Sequence, residues 1–210
     1  MMNKCFFFLI SFLLFCFSIS TSKAQTANFM VKAGIGWATI LNSPQSDENG
    51  FKPESRLAAH LGVGIRKSYT DKIGVQGELL FLQQGANLAK DDSLTLNFNS
   101  AGLSALVFYK IVPALELEIG VQPTYTFSLK NNYDKDLSNV WTNWRFDGAL
   151  LLGMRYLITD SFAIAPRIRY GVRPIKTNFF YTTDGVSYIT VENRYNHFNA
   201  GISFEYIFGN

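Results

Sequence analysis

Apolar and polar residues alternate with a period of two through most of this chain, most cleanly from Leu115 to Leu129. One face carries Leu115, Leu117, Ile119, Val121, Pro123, Tyr125, Phe127 and Leu129. The other carries Glu116, Glu118, Gly120, Gln122, Thr124, Thr126 and Ser128. Successive side chains of a strand point to opposite faces, so this separation predicts a strand with one apolar side. Similar runs predict seven more strands, at about 28–40, 57–66, 73–85, 94–109, 144–157, 162–174 and 194–208. In the run at 94–109, Leu94, Leu96 and Phe98 fall out of phase with Leu103, Ala105, Val107 and Tyr109. That predicts a bulge near Ser100.

Eight is an even number, so the strands can close in antiparallel order with both ends on one side. The connections differ in length. Those at about 41–56, 130–143 and 175–193 are long, and 86–93 is shorter. Lys67–Lys72, Lys110–Ala114 and Ile158–Ser161 are tight. Tight turns at one rim and long loops at the other are the habit of membrane barrels, whose short turns lie in the periplasm.

A soluble lipocalin-like barrel has the same strand count but the opposite polarity, with apolar residues inside. Three features favour an apolar outside. The polar face is rich in small residues: Gly34, Gly36, Gly62, Gly64, Gly74, Gly120, Gly153, Gly171 and Gly201. Aromatics collect near the strand ends, and Trp37, Tyr109, Trp144, Tyr156, Tyr206 and Phe208 are expected to form girdles at the headgroup level. Most strands also exceed ten residues, enough for a tilted crossing of a bilayer. Pro123 and Pro166 are expected to weaken the ladder locally. The expected fold is all-β: an eight-stranded antiparallel up-and-down transmembrane β-barrel.

Composition sharpens this picture once the first residues are set aside. Asn3 and Lys4 precede an apolar run from Cys5 to Ile19, and Ser22-Lys23-Ala24 supplies a small-residue cleavage site. The run is short for a spanning helix, and Phe15 before Cys16 does not suit lipoprotein processing. Residues 1–24 therefore read as a cleavable signal peptide and 25–210 as the barrel domain. Both cysteines leave with the signal, which removes disulfide, thiol and cysteine–metal chemistry. Losing Lys4 and Lys23 lowers the formal charge from +3 to +1, too little to argue for a nucleic-acid partner. A 48% hydrophobic content with 17% charged residues excludes disorder.

Certain segments then look familiar. Glu78-Leu79-Leu80-Phe81 is followed by Gly85-Ala86. Gly120 stands with Pro123 and Tyr125, and Phe146-Asp147-Gly148 with Gly153 and Tyr156. Arg169-Tyr170-Gly171 and the closing Gly201-Ile202-Ser203-Phe204 complete the set. In these the chain resembles, over almost its whole mature length, the Bacteroidetes-type outer-membrane β-barrel family, also described as porin-family or PorT-like. The resemblance implies a barrel in the cell outer membrane. Two segments depart from the family pattern: Ser100-Ala101-Gly102-Leu103-Ser104 lacks the usual proline, and Pro174-Ile175 replaces Asn-Ile.

The candidate site is a set of charges on the inward face. Lys32, Arg145, Arg155, Arg167 and Arg169 are the bases; Glu78, Glu116, Glu118, Asp147 and Glu205 are the acids. Arg66 and Arg173 fall near strand ends and are expected to reach water. Equal numbers of each sign predict pairing across a narrow lumen, because a conducting pore would favour one sign. His60 and His197 also face inward. A triad with Ser104 or Ser203 and Asp147 finds no support in the spacing, so lumen hydrogen bonding is expected and no cofactor or metal is called for. Asp47-Glu48, Asp91-Asp92, Asp134 and Asp136 read as solvated loop charge, although divalent cations bridging lipopolysaccharide would suit them. Asn131-Asn132-Tyr133, Trp141 and Phe179-Phe180-Tyr181 could meet a protein partner. The expected function is a non-catalytic outer-membrane barrel, its lumen plugged by paired charges, that presents extracellular loops for interaction or envelope integrity. The expected partners are outer-membrane lipid, lipopolysaccharide and, during insertion, the barrel-assembly machinery. A narrow porin and a lipid-modifying barrel enzyme are the alternatives.

Overall fold

The structure, a computed structural model, describes residues 27–42, 53–88, 95–131, 141–142, 145–182 and 188–208. The expected signal peptide, Trp144 and the loop acids lie outside these residues. Among them are eleven antiparallel strands: β1 Asn28–Asn42, β2 Pro53–Glu54, β3 Arg56–Ser68, β4 Ile73–Leu88, β5 Thr95–Val112, β6 Leu115–Asn131, β7 Trp141–Thr142, β8 Phe146–Leu157, β9 Phe162–Gly171, β10 Ile175–Thr182 and β11 Tyr188–Phe208. Eight of these close a barrel in the order β1-β3-β4-β5-β6-β8-β9-β11, with β11 pairing back onto β1. The expected eight-stranded antiparallel fold is the one that forms.

The registers fix how steeply the strands climb. A row of paired residues runs from Asn28 through Arg66, Gln76, Leu106, Gly120, Leu151, Arg169 and Asn199 to Ala38, ten residues further along β1. With a rise of ~3.3 Å per residue and strands ~4.7 Å apart, that stagger gives a tilt of about 40°. Eight strands at this tilt enclose a bore that side chains fill.

Alternation decides which side chains fill it. Trp37, Ile119 and Leu152 are 65%, 64% and 58% exposed on the outer wall, whereas Lys32, Glu78 and Arg155 are buried inside. The wall is apolar outward and the interior is polar, as hydrocarbon around the barrel requires. The interior is apolar at its two ends. Met30, Phe108 and Ile207 are buried toward the turn rim, and Ile40, Leu96, Phe98 and Leu129 toward the loop rim.

Four details differ from the sequence expectation. The expected bulge near Ser100 is present, but Asn99 pairs with Ser128 while Ser100 pairs with Thr126, so its extra residue is Phe127 on β6 and not a residue of β5. Strand β5 keeps one phase throughout and carries Leu96 and Phe98 inside, and Leu129, expected outside, turns inward beyond the bulge. The long connection expected at 175–193 holds strand instead: β10 pairs with the first part of β11. The eighth expected strand accordingly begins at Tyr188 rather than near residue 194, and the seventh ends at Gly171. The prolines act as expected: pairing lapses between Gly102–Thr124 and Ala105–Val121, beside Pro123, and between Gly153–Arg167 and Tyr156–Ile164, beside Pro166.

The lumen charge network as the candidate functional site

Six side chains from six strands form a closed circuit of alternating charge. Lys32 Nζ on β1 lies 2.9 Å from Glu78 Oε1 and 2.8 Å from Glu205 Oε1. Across the lumen, Arg167 on β9 donates from Nη1 to Glu78 Oε2 at 2.6 Å and from Nη2 to Glu118 Oε2 at 2.5 Å. Glu118 Oε1 stands 3.5 Å from Arg155 Nη2 on β8, and the same Arg155 nitrogen meets Glu205 on β11. The circuit thus returns to Lys32. Gln76 adds a donor to Glu78 Oε1 at 2.6 Å.

A branch leaves this circuit toward the turn rim. Glu116 Oε2 lies 3.6 Å from Arg155 Nη1 and accepts from Arg66 Nη2 at 2.6 Å. The Arg66 guanidinium also stacks on the Phe108 ring, 4.2 Å from its centroid. Arg66 was expected to reach water, but Phe108 and Glu116 cover it. Toward the loop rim a separate cluster centres on Arg169. It donates to Asp147 Oδ2 at 2.9 Å, Gln122 Oε1 at 3.0 Å, Thr124 Oγ1 at 3.0 Å and Gln84 Oε1 at 3.2 Å.

Arg145 corrects the sequence reading. It lies just before β8 begins, is exposed and donates to the hydroxyl of Tyr125, a residue of the outer wall, at 3.3 Å, rather than lying buried among the lumen charges. Strand parity holds only from Phe146 onward, where β8 begins. The other nine residues named for the network are in the lumen. With Arg66 in place of Arg145, five cations face five carboxylates in the ion pairs of the described residues. Buried charge needs such balance, because an unpaired ion in a low-dielectric interior costs several kcal/mol.

Sequence spacing had given no reason to join His60 and Ser203, yet they are hydrogen-bonded, Nε2 to Oγ, at 2.7 Å. The link runs over Gly34, which pairs with His60 on one side and Ser203 on the other. A Cβ at Gly34 would stand 2.6 Å from the imidazole, so only glycine leaves this path open. That paired glycine is the sequence signal for the contact. A cavity of about 40 Å³ adjoins the pair, lined also by Gln122, Arg167, Arg169 and Asn199; it has room for a few waters at most. His197 is buried edge-on against Phe98, ring centroids 4.8 Å apart. Asp147 bonds Arg169 rather than either histidine. Among the described residues no group of three His, Cys, Asp or Glu side chains is placed to hold a metal.

On the outer wall, Trp37, Tyr109, Tyr156, Tyr206 and Phe208 are exposed. Phe162, Tyr206 and Phe208 stack edge to face near the turn rim, with centroids 4.9 Å and 4.7 Å apart. Tyr125 and Phe146 pair at 5.0 Å near the loop rim.

Comparison with known proteins gives the geometry a family. Among solved structures the chain is similar to Neisserial surface protein A, with 12% identity over 87% of this chain and 99% of that one and a TM-score of 0.52. It is also similar to the outer membrane protein OprG from Pseudomonas aeruginosa, with 16% identity over 89% and 98% and a TM-score of 0.49. The first likeness supports the fold. No curated protein matches the chain. The family model for the outer membrane protein beta-barrel domain matches residues 22–177, most of the chain. The chain belongs to the outer membrane protein beta-barrel domain family and is an eight-stranded barrel of the outer membrane.

Proposed function

We propose that this barrel is a sealed, non-catalytic element of the outer membrane, whose ion circuit closes the lumen and whose loops face the cell exterior. The observation that carries this reading is the circuit Lys32–Glu78–Arg167–Glu118–Arg155–Glu205. Each charge in it is neutralised by two neighbours drawn from other strands, so no net field remains to draw an ion inward. A permeating ion would have to break pairs that cost several kcal/mol each to separate in a buried site. Apolar side chains above and below the circuit add further barriers. Within the wider family we place the chain with the Bacteroidetes-type, PorT-like members, on the segments Glu78–Phe81, Phe146–Gly148 and Gly201–Phe204. The wall is in contact with membrane lipid, and the barrel-assembly machinery and lipopolysaccharide are its proposed partners. The aromatics near the two rims serve as the interfacial girdles.

Solute entry into proteoliposomes tests the reading. Liposomes carrying the protein should swell in small sugars or amino acids no faster than protein-free liposomes. Swelling that scales with protein content and falls with solute size would instead identify a narrow porin.

A further inference from the structure

His197 is a titratable group set into the apolar cap that closes the lumen toward the loop rim. Its imidazole is buried, edge-on to Phe98, and the residue pairs with Ile40 of β1 across the closing seam. Leu96, Phe98 and Leu129 are buried at the same end. Neither ring nitrogen of His197 has a hydrogen-bond partner among the described residues. A neutral imidazole tolerates that setting better than a protonated one, which carries a charge and two N–H donors with nothing to receive them. His60 is placed differently, since its Nε2 bonds Ser203 and it borders the polar cavity.

The charged groups around the His197 ring offer a proton on it no free counterion. Arg169 on β9 lies close enough to act on it as a like charge. Asp147 on β8 reaches toward the His197 backbone over Gly171, where a Cβ would stand 2.7 Å from Asp147 Oδ2 and 3.2 Å from the His197 amide nitrogen. That Oδ2 already accepts from Arg169 at 2.9 Å. Arg56 on β3 donates to the Gln84 and Leu96 carbonyls and adds positive charge beside the cap. The buried side chains that β1, β5 and β6 present there, Ile40, Leu96, Phe98 and Leu129, do not titrate. With five cations already balanced by five carboxylates in the lumen, a proton on His197 is a charge in excess.

We propose that His197 is an acid-sensitive latch: neutral, it holds the apolar cap shut; protonated, it leaves Phe98 and admits water to the upper lumen as far as the Arg169 cluster. The ion circuit below stays closed, so the latch rests on the sealed lumen proposed above and regulates only the end that faces the loops. In the open form the ring meets water, where a histidine titrates near pH ~6.5, whereas in the closed form it stays neutral. The closed form therefore keeps its full advantage above that pH and loses up to about tenfold of it for each unit below.

Residues 25–210 contain no cysteine, so L129C places a single thiol in the cap. The full mature chain, folded into phosphatidylcholine vesicles, is labelled with a small water-soluble disulfide reagent at about pH 7.5 and about pH 4.5, and each rate is divided by that of free cysteine at the same pH. L129C should gain about tenfold or more in relative rate on acidification. L129C/H197F keeps an aromatic ring against Phe98, and L129C/H197Q keeps a polar side chain. Both lack the titrating group and should change by less than about twofold. No gain in L129C, or an equal gain in either double variant, would overturn the proposal. S104C, opposite Glu78 of the ion circuit, should stay protected at both pH values. Labelling of S104C in acid alone would also overturn the latch as stated. Labelling of S104C at neutral pH would refute the sealed lumen itself, whereas a protected S104C with an unresponsive L129C would refute the latch alone.

Discussion

Lys32 and Glu205 face each other across the seam where the last strand of the barrel meets the first, Nζ and Oε1 2.8 Å apart. The pair belongs at once to the closure of the sheet and to the ion circuit that fills it. Any substitution here acts on both.

Replacing Lys32 with Met leaves Glu78 and Glu205 sharing the remaining arginines and gives the buried network one excess negative charge. The K32M variant should lose about 3–5 kcal/mol of unfolding free energy. K32M/E205M restores the balance and should be less destabilised than K32M alone. Urea unfolding from phospholipid vesicles, followed by tryptophan fluorescence, measures both. A double variant weaker than K32M would mean that charge balance does not govern the interior.

The two faces of β8 separate lipid from lumen at adjacent residues. Leu152 is 58% exposed on the wall and Leu151 is 2% exposed inside. L152R puts a cation into hydrocarbon near mid-strand and should cost about 2–4 kcal/mol of insertion stability. L151R acts differently, by overfilling a cavity already bordered by Arg167 and Arg169 and adding a sixth cation to five balanced pairs. Thinner bilayers should ease L152R and leave L151R unimproved. The same response to bilayer thickness in both variants would contradict the face assignment.

Gly85 has a φ of 127°, in the region that side-chain-bearing residues avoid, and a Cβ there would run into the Leu96 carbonyl. G85A should destabilise the barrel by at least about 1 kcal/mol. Gly77, on the same strand, has no atom nearer than 3.8 Å to a built Cβ, and G77A should stay within about 0.5 kcal/mol of wild type. Equilibrium unfolding of the two variants under one set of conditions separates them.

The wall was legible in the sequence because hydrocarbon imposes one rule on every strand, and a period of two records it. The strand count, the closed antiparallel order and the inverted polarity all follow from that rule. What the sequence hid depends on register. Arg167 and Glu78 are 89 residues apart and meet only because the strands climb ten residues per circuit of the barrel. The single extra residue at Phe127 turns Leu129 inward, although the apolar alternation continues through it unbroken. The only trace of it was on the neighbouring strand, where Leu96 and Phe98 fell out of phase. Arg145 shows the reverse error, since parity has meaning only within the strand and β8 starts one residue later.

The sealed lumen is tested most directly by single-channel recording of the purified protein in planar bilayers. The wild type should insert without unitary conductance steps, while E78A/R167A, which removes one carboxylate and one guanidinium and keeps the charge balanced, should admit ions. Stable, reproducible unitary steps from the wild type would contradict the account.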